Sequence, residues 1–300
     1  MSEYYCHAVH GDDCAALIQA SRAISENTKR VAREYGMLMR MGSVLRAGGT
    51  LVSPALTAIR DGGDGVDPRI ADRRLAIALS QLSHRAADGY FKPVYRELAP
   101  EYYDDDYTAT PSDIRIMHDI AVFHARKNMK LANGDPKYDP LVFRHIVPLS
   151  DDQTPGDARF LETVFGARVI QELLGLHDLF PENADTDRKL KAYIMALDPT
   201  YIDTVRYADM AAQPHINYVQ RYIIEPNFYD PDDPFISLAV DIQNGMAPDD
   251  ARLAAAKAAD PESLSQWGAT LALGVRYYEA AQAYMDGAID LGAFEEIALS

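Results

Sequence analysis

Histidine and aspartate are the side chains of this sequence best suited to chemistry, and five of them fall in a suggestive order. His84 comes first, then the adjacent pair His118 and Asp119, then Asp185 or Asp187. Imidazole and carboxylate together suit a divalent cation that activates water. The pair lies among Ile116, Met117 and Ile120, which reads as one face of a helix. If the elements carrying these residues meet in a bundle, His84, His118, Asp119 and Asp187 (or Asp185) can each approach one ion to about 2.0–2.2 Å.

A lone histidine, a His-Asp pair and a later aspartate resemble the pattern of the HD-domain phosphohydrolases. That resemblance runs from residue 84 to residue 187 and is carried by a dipeptide. It implies an all-helical fold, a divalent metal and phosphoester hydrolysis. A second His-Asp pair, His177 and Asp178, lies further along the chain.

Other candidates carry less. Asp104, Asp105 and Asp106 resemble the aspartate-rich magnesium sites of helical prenyl-converting enzymes, but no second such motif follows, and the run reads as a solvated loop. Asp61, Asp64 and Asp67 punctuate a glycine-rich turn that could wrap calcium. The turn lacks the terminal glutamate of an EF-hand and reads as a connection. Cys6 and Cys14 form neither a disulfide framework nor a zinc set, and read as buried thiols. No Gly-x-Ser-x-Gly elbow, His-Glu-x-x-His pair or P-loop occurs.

The elements that must position these groups are helices. Ten of the seventeen prolines follow Asp, Ser or Thr. Such a pair reads as an N-cap and a first helical residue, where proline's missing N–H is no loss. Asp67-Pro68, Thr110-Pro111, Thr154-Pro155, Asp198-Pro199, Asp233-Pro234 and Asp260-Pro261 each open an apolar-periodic stretch. Leu17, Ile24, Val31, Leu38 and Leu45 recur every seven residues, which predicts one helix over 12–46, about 50 Å long. A second long helix is expected from Pro68 toward Leu98, with Ile70, Leu75, Leu79 and Leu82 inward and Pro93 kinking or ending it. Further helices are expected over 111–132, 155–179, 186–197, 199–211, 234–245, 248–258 and 261–287. The stretch 215–224 is the one plausible strand. The expected fold is mainly α: a multi-helix, bundle-like domain with a long N-terminal helix and little or no sheet. One domain over 1–300 is expected, with 1–100 and 111–300 as the possible subdivision.

Charge narrows the partners. Forty-five Asp and Glu against 29 Lys and Arg give a net charge of −16, a field that repels nucleic-acid backbones. No apolar run is long enough to span a membrane, and the stretch from Met1 to Cys6 does not read as a signal peptide. A cytoplasmic or particle-bound protein is expected. Eighteen tyrosines, and apolar Phe294, Ile297 and Leu299 near the chain end, suggest protein contacts. Two functions follow. The first expectation is a non-enzymatic structural protein of a larger assembly, such as a phage or virus particle component, homo-oligomeric or part of a multi-protein complex, with no cofactor. The alternative is a metal-dependent phosphohydrolase of the helical HD type, with a divalent metal as cofactor.

Overall fold

Helix starts fall where a short polar side chain can accept the first free N–H groups. Asp233 accepts from Phe235 N and Ile236 N, with Pro234 at the first helical position. Asp249, Ser265 and Asp290 do the same for the helices that follow them. The computed structural model describes residues 4–44, 51–62, 67–98 and 227–299, together with 118, 121–126, 128–130, 134, 137 and 138. Helix accounts for 75% of the described residues, and none of them forms a strand.

The first three elements are α1 (Tyr4–Leu17), α2 (Glu26–Glu34) and α3 (Gly36–Val44). They replace the single helix expected over 12–46. Ser21 is extended (φ −78, ψ 127), and its Oγ accepts from Ala23 N at 3.2 Å. Ser25 Oγ then accepts from Thr28 N at 3.2 Å and starts α2. These local side-chain bonds compete with the helix and turn the chain. The apolar repeat is still used, because Leu17, Ile24 and Val31 are all buried.

Next come α4 (Val52–Arg60) and the 31-residue α5 (Pro68–Leu98). Asp67 Oδ1 accepts from Arg69 N at 2.9 Å at the start of α5. The helix runs through Pro93 rather than ending there, since a proline removes one backbone bond and the flanking turns remain. Residues 121–126 are helical. After residue 226 come α6 (Pro234–Gln243), α7 (Asp250–Lys257), α8 (Gln266–Met285) and α9 (Leu291–Ala298). Pro261 opens only a 3-10 turn. Leu264 is extended behind it, and Ser265 caps α8 instead, its Oγ accepting from Gly268 N at 3.0 Å. The helices expected within 155–211 and the strand over 215–224 lie outside the described residues.

The described residues share one core. Helix α5 packs against α1, α3, α4 and α8. Leu79, Leu82 and Phe91 of α5 share that core with Val9 and Leu17 of α1 and Trp267 and Leu271 of α8, all fully buried. The α1–α8 crossing depends on Gly274, where an added Cβ would lie 2.4 Å from Cys14 Sγ and 3.3 Å from His10 Cε1. Gly274→Val is therefore expected to destabilise the protein by about 1–3 kcal/mol, measured by urea denaturation. A neutral substitution would mean that α1 and α8 part without loss.

The end of the chain folds back on the core. Phe294 is fully buried and stacks on Tyr284, with centroids 5.5 Å apart. Arg85 Nε donates to Ala298 O at 3.1 Å, holding the last turn of α9. The apolar groups expected to need a partner are thus largely covered within the chain. Ile297 and Leu299 are half-buried against the same core.

Candidate metal centre

Two helices supply the cluster. Helix α5 carries His84 and Asp88, one turn apart and so on one face. Helix α1 brings His7 against them. His84 Nε2 lies 3.3 Å from Asp88 Oδ2, and His7 Nε2 lies 3.6 Å from Asp88 Oδ1. The two imidazoles stack with centroids 4.0 Å apart and planes 17° apart. One ligand atom from each of the three residues falls within 4.8 Å of the others. Two ligands on a tetrahedral ion stand roughly 3.4 Å apart, which the His–Asp separations match, but the stacked rings hold their in-plane lone pairs almost parallel, so one imidazole must turn before both can reach one ion. The cluster is nearly closed to water, with side chains 5%, 10% and 11% exposed for His7, His84 and Asp88.

A third helix sets the tautomer. His84 Nδ1 is 2.7 Å from Ser43 O, near the end of α3. A carbonyl oxygen only accepts, so Nδ1 is the donor, and Nε2 of the neutral ring carries a lone pair. That lone pair and an Asp88 oxygen are both acceptors, 3.3 Å apart. A cation belongs between them, either a proton on His84 or a metal ion. A backbone carbonyl that holds the far nitrogen of an imidazole is also the usual support for a metal-bound histidine.

His84 is therefore in a ligand-like setting, but with partners other than those the spacing suggested. His118 is not among the three clustered residues. It is buried, stacked on Phe228 with centroids 4.0 Å apart and tilted against Phe91 at 5.0 Å. Burial pushes its pKa down to about 3, so it is neutral at ordinary pH. Asp119, Asp185 and Asp187 lie outside the described residues. Sequence reasoning missed His7 and Asp88. The His84-to-Asp88 spacing of one turn was a usable signal; the arrival of His7 from another helix had none.

A second polar cluster lies buried on α1. Asp13 accepts from Arg126 Nη2 at 2.8 Å, Trp267 Nε1 at 3.0 Å and Gln243 Nε2 at 2.6 Å. Asp12 accepts from Arg40 Nη2 at 2.7 Å and from the Tyr138 hydroxyl at 2.8 Å. Burial works against the Asp12 carboxylate, yet Arg40 and Lys137 outweigh it and hold the pKa down at about 2. Burial pushes Asp13 upward against the pull of Arg126. These pairs are saturated with protein partners, which suits structure better than catalysis. His10 is also buried, edge-on to Trp267, and burial lowers its pKa to about 4. Burial raises the Cys14 thiol well above its ordinary value, so it is no nucleophile at neutral pH.

Comparison of the chain with family models, with curated proteins and with solved structures gives no match.

Proposed function

We propose that the protein is a helical metalloprotein that binds one divalent transition-metal ion through His7, His84 and Asp88 and uses it for hydrolysis. The observation that carries this reading is the convergence of His7, His84 and Asp88, each offering one ligand atom within 4.8 Å of the others, with the far side of the His84 imidazole held by Ser43 O. Two imidazoles and one carboxylate suit zinc, iron, cobalt or nickel better than calcium or magnesium. Three protein ligands leave a coordination position for water, whose pKa such an ion lowers toward neutrality. Of the HD-type expectation this keeps the metal, His84 and the hydrolytic class.

The assembly reading has less behind it. Phe294 is covered by its own chain, and among the described residues Met246 is the exposed large apolar side chain. No helix among them is long and apolar enough to cross a membrane.

Elemental analysis of protein purified without chelator is expected to find one equivalent of a transition metal. Hydrolysis of activated phosphoesters should depend on that metal and fall with Asp88→Asn. A metal-free preparation that takes up none on incubation would end the proposal.

A further inference from the structure

Helices α1, α2, α3 and α6 and the loop after α6 enclose an open cavity of about 480 Å³, which shares no residue with the His7, His84 and Asp88 cluster. That volume falls in the range of small-molecule sites. Its charged lining is Asp12, Arg33 and Lys137. Asp12 is already engaged by Arg40 through two bonds to Nε and one to Nη2, and by Tyr138. Lys137 Nζ donates to Gln243 Oε1 at 2.5 Å and stands 3.6 Å from Asp12 Oδ2. Arg33 is exposed, its Nη1 donating to Gln19 Oε1 at 2.6 Å. Two cations and one carboxylate leave the lining positive in a chain whose net charge is −16. The rest of the wall is largely apolar, including Met39, Ile242 and Pro248, with Met246 54% exposed.

We propose that this cavity binds a small organic monocarboxylate, its anionic group on the side of Lys137 and Arg33 and its apolar body against Met39, Ile242 and Met246. Asp12 is paired with Arg40, so Lys137 and Arg33 give the lining a cationic side that suits a carboxylate. A phosphate dianion would gain nothing from the apolar wall. An amine would meet two like charges.

The test is calorimetric titration of the full chain with decanoate, decanol, decylamine and inorganic phosphate. Decanoate is expected to bind at one equivalent, decanol at least tenfold more weakly, and the other two not at all. Lys137→Met should weaken decanoate by tenfold or more and leave decanol unchanged. Gly36→Leu gives a second variant. A Cβ at Gly36 meets nothing within 4 Å, so the leucine side chain extends into the cavity without a clash. Leucine is also the better helix former, so this variant should melt no lower than the parent while binding neither decanoate nor decanol. Equal binding of decanoate and decanol, binding of phosphate instead, or decanoate binding that survives Gly36→Leu would each overturn the proposal. So would no heat from any probe.

Discussion

Arg126→Met is expected to destabilise the protein by about 3–5 kcal/mol, the largest loss from any single substitution considered. Arg126 and Asp13 form an ion pair whose side chains are 1% and 0% exposed. Removing the guanidinium strands a carboxylate away from water with only the Trp267 and Gln243 donors left. Arg126 Nε also donates to the Tyr229 hydroxyl at 2.7 Å, so the variant leaves that group short of a partner as well. Urea denaturation of the single variant measures the loss. The double variant Asp13→Asn with Arg126→Met should recover much of it, because no charge is then left buried. An additive or larger loss in the double variant would show that the pair contributes packing rather than charge compensation.

Acid should unfold the protein earlier than its carboxylates alone would dictate. His118 is neutral in its aromatic niche, with its pKa lowered by burial from 6.5 to about 3. A depressed folded-state pKa means that the unfolded chain binds the extra proton throughout the window between those values. Stability is therefore full above pH 6.5 and is lost as pH falls toward 3. From pH 7 to pH 4 the loss from this residue is about 3 kcal/mol. His10, lowered by burial to about 4, acts in the same direction. His118→Phe keeps the stack on Phe228 and removes the titration. The variant should hold its stability from pH 7 to pH 4 better than the parent does, in urea midpoints taken across that range. Parallel pH profiles would mean that His118 is hydrated in the folded protein.

What could be read from the sequence was whatever one helix decides by itself. Asp233-Pro234 marks a helix start because cap and first residue both act locally, and the structure starts α6 there. Leu17, Ile24 and Val31 were legible as core because their period is helical, although the helix they were assigned to is broken. The break was harder to see. Ser21 and Ser25 win by bonds to backbone N–H groups two and three residues on, and a seven-residue apolar repeat is blind to them. The same division runs through the site. His84 stood out by its chemistry, and Asp88 was in reach as its neighbour one turn on. His7 joins them only because α1 crosses α5, a tertiary fact with no local mark. Asp13 and Arg126 are likewise 113 residues apart, and nothing near either announces the other.

The most direct measurement is a Co²⁺ titration of chelator-stripped protein followed by visible absorption. Ligand-field bands are expected to grow to saturation at one equivalent. His7→Ala, His84→Ala and Asp88→Asn should each weaken binding by at least about a hundredfold, as loss of one of three ligands demands, while His118→Phe leaves it unchanged. A flat titration, or one that these three substitutions leave untouched, would contradict the account.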